Sequence, residues 1–454
     1  MLTPFVRRWI VRALPFVAAA AAHAQVSSFV TNNPTPSGFF GGAIAGVPDL
    51  NGDGRGDVVI GAPGEGPSGT ATFRGRVYVY SGSSGALIRT LLSPNAQTNG
   101  LFGDSVAGIP DVNGDGRGDI VVGAPGEDPG TTPVGAGRAY IFSGATGQLL
   151  RVLASPSNEQ GGSFGDAVSG ISDVNGDGRG DVVIGAPKED PGASPDDCGR
   201  AYTYSGATGA LISKLLPPTP EIDGEFGFSV AGVADVNGDG RGDVIVGAPG
   251  EDPGAAPTDC GRAYIYSGAT GLRLRTLASP GQEAGGRFGE AVGGVPDVNA
   301  DGRGDVVVGA PDEDPGASPL GCGRAHVYSG ANGALLFKLL PPAPELDGNF
   351  GVSVAGVADI NGDARGDIIV GAWKEDPGAL PTSSGRVHVY SGATGLRLKT
   401  FGTPNAEVDG SFGIAVAGVP DANANARGEV AAGAPGESAI GHPNFAGRAY
   451  LFRN

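Results

Sequence analysis

Apolar residues in this chain fall into short runs separated by turns of Gly, Pro, Asp and Asn, and the runs are of four kinds. The first, as in residues 102–109, is apolar but dominated by small residues. The second follows an aspartate without a polar interruption, as from Asp57 to Ile60, the pattern of a strand buried on both faces. The third, Arg76 to Tyr80, alternates as a half-buried strand does, and the fourth, Leu87 to Leu92, follows the turn Ser81 to Gly85. This order returns every 62 residues, seven times. Four antiparallel strands copied seven times predict an all-β fold, a seven-bladed β-propeller of four-stranded blades with the Gly- and Ala-rich run nearest the axis.

Closure is also predicted. The seventh repeat stops just after its third strand, and residues 26–31 align at the 62-residue offset with the fourth strand at 88–93. The blades are therefore expected at 32–93, 94–155, 156–217, 218–279, 280–341, 342–403 and 404–454 plus 26–31, with the N-terminal strand closing the ring. Ahead of it, Arg7, Arg8 and Arg12 precede an apolar stretch from Ala13 to Ala22 and the small-x-small sequence Ala22-His23-Ala24. Residues 1–24 read as a signal peptide, too short to span a bilayer, so 25–454 is expected as a secreted or periplasmic, monomeric propeller with no membrane span.

The turns carry the chemistry. A nine-residue motif, Asp-x-Asn-Gly-Asp-Gly-Arg-Gly-Asp in its commonest form, places Asp, Asn and Asp at positions 1, 3 and 5, Arg at 7 and Asp at 9. The copies comprise Asp49, Asn51, Asp53, Arg55 and Asp57; Asp111, Asn113, Asp115, Arg117 and Asp119; and Asp173, Asn175, Asp177, Arg179 and Asp181. They continue as Asp235, Asn237, Asp239, Arg241 and Asp243; Asp297, Asn299, Asp301, Arg303 and Asp305; and Asp359, Asn361, Asp363, Arg365 and Asp367. Alternate spacing in a tight turn points the side-chain oxygens inward, and position 7 offers its backbone carbonyl. Hard oxygen donors select calcium over zinc or copper, so about six Ca2+ ions are expected. Ala300 and Ala364 each replace a loop glycine, straining the turn, and the seventh copy, Asp421 to Glu429, loses a carboxylate and both glycines and is expected to bind weakly or not at all.

These loops account for most of the acidity. The net charge is −18, and six loops with three Asp each hold 18 carboxylates, which six divalent ions would offset by +12. The charge disfavours nucleic acid and anionic membranes as partners. The chain's 84 Gly and 36 Pro would suggest disorder were the period less strict.

The rest of the repeat keeps register. Phe-Gly pairs stand at Phe40, Phe102, Phe164, Phe226, Phe288, Phe350 and Phe412; Gly-Ala-Pro follows each acidic loop except at Gly371 to Trp373; and Gly-Arg opens the third strand from Gly75 to Gly447. With these motifs the chain resembles the FG-GAP repeat, known from the seven-bladed propeller head of integrin alpha chains. The resemblance implies the propeller fold, calcium in the acidic loops, and a binding or adhesion module for an extracellular protein or polymer.

Other features admit blander readings. Arg-Gly-Asp within each loop invites an adhesive-ligand reading, but its Asp is the position-9 ligand; the Arg is expected to be solvated. Glu-Asp-Pro at Glu127, Glu189, Glu251, Glu313 and Glu375 is expected at solvated loop tips of the opposite face. Tyr140, Tyr202 and Tyr264 read as inter-blade packing, and Cys198, Cys260 and Cys322, one per repeat and odd in number, as free thiols. His326, His388 and His442 accompany no nucleophile-and-base set, which argues against an enzyme. A carbohydrate-binding, lectin-like propeller is the alternative to a protein-binding one, with a polysaccharide-active or other hydrolase or lyase behind it.

Overall fold

The computed structural model describes residues 25–453 apart from 129, 131–133, 191, 193–195, 253, 255–257, 315, 317–318, 377, 379–380, 439–440 and 442–443. The region expected to be a signal peptide, and His442, lie outside the described residues.

Among the described residues, twenty-eight strands form seven separate four-stranded antiparallel sheets, and the one further element is a short 3-10 turn at Pro67–Gly69. After β1 (Gln25–Phe29), the first blade comprises β2 (Ala43–Val47), β3 (Asp57–Ala62), β4 (Arg76–Tyr80) and β5 (Leu87–Leu91), paired in that order. The apolar run predicted to be buried on both faces is so: every residue of β3 is buried, as are those of its six counterparts. The innermost run is shorter than expected. In the second blade the strand covers Val106–Ile109, with Phe102 bridged in parallel to Gly75 of the preceding blade and Gly103 at a φ of +89°; the sixth blade, with the same bridge and glycine turn, has its strand over the full run, Phe350–Val357. A Cβ at Gly75 would stand 1.9 Å from the Phe102 carbonyl oxygen, so the Gly of Gly-Arg lets adjacent blades touch through their backbones.

The core lies between blades. Ile109, Val121 and Ile141 of the second blade pack with Phe164, Val182 and Tyr202 of the third, and each other interface repeats the pattern. Every Phe of the Phe-Gly pairs is fully buried. At about 1.5–3 kcal/mol per buried large side chain, these interfaces supply the main cohesion of the ring.

β1 closes the ring as predicted, pairing antiparallel with the last strand, Arg448–Arg453, from Gln25 opposite Arg453 to Phe29 opposite Ala449. Phe29 then packs with Phe40, Tyr80 and Leu451, joining the last blade to the first. Cys198, Cys260 and Cys322 are buried and take part in no disulfide among the described residues. Among the described residues no helix is long and apolar enough to cross a membrane.

Candidate functional sites

The acidic loops join first to second strands at one end of every blade. Asp57 opens β3, fully buried, its Oδ2 accepting from the Leu50 N–H at 2.8 Å and its Oδ1 from the Gly82 N–H at 3.1 Å. Asp49 accepts from the Gly52 N–H at 2.5 Å and the Gly54 N–H at 2.8 Å. Asp53 accepts from the Arg55 N–H at 2.9 Å and the Ser83 hydroxyl at 2.5 Å, tying the loop to the turn between β4 and β5. The other blades repeat most of this pattern.

Burial, partly offset by the N–H groups of Leu50 and Gly82 and reinforced by the charges of Asp53 and Asp49, pushes Asp57 up to about 6. Asp119, Asp181, Asp243, Asp305 and Asp367 are raised to about 6 likewise. At Asp49 burial is the largest single influence, but the Gly52 and Gly54 N–H groups and the Arg117 charge together outweigh it and hold the carboxyl below the usual carboxylate range. The donor set, all oxygen with several lone pairs still open, suits a hard divalent cation. The arrangement is not that of a tight cage: among the described residues no three Asp, Glu, His or Cys side chains converge closely enough to hold a metal ion.

The strain expected at the replaced glycines is present, with φ of 70° at Ala300, 64° at Ala364, 75° at Ala424 and 62° at Ala426. In the seventh loop burial pushes Glu429 up to about 7, and its Oε1 has no hydrogen-bond partner.

The arginines of the Arg-Gly-Asp tripeptides are not simply solvated, contrary to expectation. Each reaches back to the loop of the preceding blade and pairs with its first aspartate: Arg117 with Asp49 at 3.1 Å, Arg179 with Asp111 at 3.3 Å, Arg241 with Asp173 at 2.9 Å and Arg303 with Asp235 at 3.0 Å. Arg365 meets Asp297 at 3.6 Å, and Arg55 meets Asp421 across the closure at 3.4 Å. Arg427 completes the circle on the Ile360 carbonyl at 2.7 Å. The reason is geometric. The first loop glycine leaves a shelf for the neighbour's guanidinium, and a Cβ at Gly52 would lie 2.6 Å from Arg117 Nη2. The two longest aspartate pairs are those whose target loops carry alanine there, Ala300 and Ala424. With its Asp buried and its Arg engaged, the tripeptide is not displayed as an adhesive ligand.

At the other end of the blades, the glutamates expected at solvated tips are buried. Glu65, Glu127, Glu189, Glu251, Glu313, Glu375 and Glu437 are at most 1 % exposed. Each accepts from a residue of the third strand thirteen positions on: Tyr78 at 2.6 Å from Glu65, then Tyr140, Tyr202, Tyr264 and Tyr450, with His326 at 3.1 Å and His388 at 2.9 Å as the two exceptions. The Gly-Arg arginine adds an ion pair in five blades, as Arg200 to Glu189 at 3.2 Å. The histidines therefore take the tyrosines' place in a structural contact. The tyrosines do pack between blades, as predicted, but their hydroxyls hold this buried ring together.

At that same end the central channel opens into a cavity of about 260 Å³. Its rim includes the residue after each Phe-Gly, and there the repeats diverge: Gly42, Asp104, Asp166, Phe228, Glu290, Val352 and Ile414. Burial and the charge of Asp166 push Asp104 up to about 7. Burial, with Glu225 adding and Lys188 opposing, pushes Asp166 up to about 6. Arg287 pairs with Glu290 and, at 3.6 Å, with Glu225, and its guanidinium lies 5.7 Å from the Phe228 ring centre. One side of the mouth is thus acidic and another apolar. Sequence reasoning passed over this position, although a variable residue inside an otherwise constant repeat was the available signal.

A closed seven-bladed wheel with a ring of acidic loops at one end and an asymmetric mouth at the other defines the class, a repeat-built β-propeller. The chain belongs to the FG-GAP repeat family, whose pattern matches residues 40–80, 102–142, 164–207, 226–266, 288–328 and 350–390. The seventh repeat falls outside that match yet forms its blade with the help of β1. The chain is 31 % identical over 264 residues to integrin alpha pat-2 of Caenorhabditis briggsae, covering 53 % of this chain and 20 % of that protein. It is 35 % identical over 209 residues to integrin alpha-IIb of Mus musculus, covering 42 % and 20 %. With integrin alpha-8 of Gallus gallus it shares 28 % over 334 residues, 68 % of this chain and 29 % of that one. It thus spans about a fifth of the first two relatives' length.

Proposed function

We propose that this protein is an exported, calcium-binding propeller, residues 25–454 behind a signal peptide at 1–24, that acts as a non-enzymatic binding module for an extracellular protein or polymer. The six complete loops each take one calcium through positions 1, 3, 5 and 9 and the position-7 carbonyl; the ion supplies charge neutralisation and rigidity at that end. The ligand engages the opposite end. What carries this reading is the departure from sevenfold regularity at the channel mouth. The acidic loops are near-copies, whereas the mouth sets Asp104 and Asp166 against Phe228, Val352 and Ile414. Such a surface suits a partner that inserts a basic side chain with an apolar stem. The similarity to integrin alpha chains supports the adhesive direction of the reading.

Two measurements test it. Calorimetric titration of chelator-stripped protein with calcium is expected to approach six ions per chain, and two or fewer would sink the metal assignment. A cell-surface, protein and glycan binding screen with calcium present should yield a ligand whose capture drops at least tenfold in an Asp104→Asn/Asp166→Asn double variant. A ligand indifferent to that change would place binding elsewhere, and a purely glycan hit would favour the lectin-like alternative.

A further inference from the structure

Five acidic loops, those opening at Asp49, Asp111, Asp173, Asp235 and Asp297, carry three carboxylates and are each met by one guanidinium from the next blade, which leaves two negative charges per loop; the Asp359 loop receives Arg427 at its Ile360 carbonyl, and the degenerate Asp421 loop, with two carboxylates, receives Arg55. The guanidinium is placed with care. It lies against the glycine at loop position 4 and contacts the position-1 aspartate, while two or three loop N–H groups hold that aspartate from within. The constant partner offset of 68 residues, one repeat plus six, means that an arginine never serves its own loop. Among the described residues the loops hold a folded shape with no three carboxylates converging.

We propose that the arginine of each Arg-Gly-Asp is a built-in counter-ion for the acidic loop of the preceding blade, one that keeps that loop ordered without a cation and lowers its affinity for a divalent cation. This rests on the reading that the loops take calcium. The sign follows from linkage. A guanidinium attracts a loop of three bare carboxylates more strongly than the same loop neutralised by a divalent ion, so by reciprocity the ion binds less well where the guanidinium is present. In these pairs the arginine side chains are about a third and the aspartates about a quarter exposed, and partly exposed pairs of this kind are worth a factor of about two to five. The tripeptide is thus an affinity-setting device directed at its neighbour, and the aspartate in it serves its own loop. Loops whose shelf carries alanine, at Ala300 and Ala424, hold their arginine at longer range and feel less of this opposition.

The test is calcium competition against a chromophoric chelator on the full chain, with Arg241→Gln as the primary variant, since glutamine keeps the position-7 carbonyl. One of the six sites is expected to tighten about two- to fivefold, less so at high salt. The destination is then checked in two backgrounds. With the blade-three loop disabled by Asp177→Ala, Arg241→Gln is expected to change nothing further; with the blade-four loop disabled by Asp239→Ala, the tightening is expected to persist. The melting temperature of Arg241→Gln should fall more in chelator than in calcium. Unchanged or weaker affinity, equal falls in both conditions, or a tightening abolished by Asp239→Ala and not by Asp177→Ala would each overturn the proposal. Arg303→Gln, read at the Asp235 loop, supplies the same test should Arg241→Gln fold poorly. If the wild-type chain takes up no calcium, both the metal reading and this inference fall; if it takes up six ions and the variants match it, only the inference does.

Discussion

The two ends of each blade hold carboxylates at strictly repeated positions and manage them in opposite ways. At the loop end the aspartates at positions 1 and 5 stay near water while the one at position 9 is buried, and the first shares backbone N–H groups and is balanced by an arginine from the adjoining blade. At the channel end the glutamates are removed from water and balanced by hydroxyl, imidazole and guanidinium groups of their own blade. The first arrangement can exchange its counter-charge for a cation at modest expense. The second cannot, because its carboxylates are fully buried and their hydroxyl and imidazole partners are buried with them. Carboxylate count alone would not distinguish them; what matters is whether the compensating charge is covalently fixed within the same packed unit.

The largest expected effect comes from removing calcium. With a dissociation constant of roughly 0.1 mM and about 1 mM free ion, each site would contribute about 1.4 kcal/mol, and six sites about 8 kcal/mol. Chelation should lower the melting temperature steeply while the arginine clamps keep the ring folded at room temperature, and magnesium should restore it poorly. Calorimetric scans identical in calcium and chelator would erase the contrast between the two ends.

Glu189→Ala attacks the buried ring. It takes the carboxylate from Arg200 and Tyr202, leaving Arg200 with Glu159 at 3.7 Å and Tyr202 with the Ser157 hydroxyl at 3.1 Å, and the loss is expected to lower stability by about 1.5–3 kcal/mol in calcium and chelator alike. A denaturant-unfolding difference below about 1 kcal/mol would show that the ring is not the fixed element described.

A subtler prediction separates tyrosine from histidine partners. Burial, against the Tyr264 hydrogen bond and with Glu221 adding, pushes Glu251 up from its usual 4.5 to about 7, and Glu437 is raised to about 7 as well. At Glu313 burial is outweighed by the hydrogen bond and charge of His326, leaving it below the usual range. A raised carboxyl binds its proton more tightly in the folded chain, so its contribution is full below about pH 4.5, falls as pH rises, and is gone above about pH 7. Each such glutamate accounts for up to about 3 kcal/mol of that decline. Tyr264→His should flatten the stability profile between pH 4.5 and 7, and a profile unchanged by this swap would contradict the assigned cause.

The smallest effect is local. Asp239→Ala should remove one site's share, about 1.4 kcal/mol in calcium and far less in chelator, whereas Asn425→Ala in the degenerate loop should change little in either. Equal losses from the two substitutions would mean that the intact and degenerate loops are not functionally distinct.

How much of this the sequence disclosed depends on the range of the interaction. Strand positions, blade count and ring closure were legible because burial patterns and a 62-residue period are written along the chain. The acidic loops were legible as oxygen-donor turns for the same reason. The destination of Arg241 was not, since its partner, Asp173, lies 68 residues back and becomes a neighbour only once blades are set around an axis. Glu189 misled for a different reason: Glu-Asp-Pro in a Gly- and Pro-rich turn carries the composition of a solvated loop, and only the facing Tyr202 hydroxyl and Arg200 make its burial tolerable. The mouth residue Asp104 was overlooked because a regular array draws attention to what repeats.

The antiparallel pairing of β1 with the last strand also sets how the ring would yield under tension. Gln25 and Arg453 sit opposite each other at one end of that pair, so a load applied across them would peel the ladder open one rung at a time and would not shear all rungs together. Phe29, held against Tyr80, would be the last to let go. A load entering through Gln25 alone would bear on the edge strand of its blade, which one neighbour holds along its length, whereas a load entering through Arg453 would bear on a strand paired on both sides.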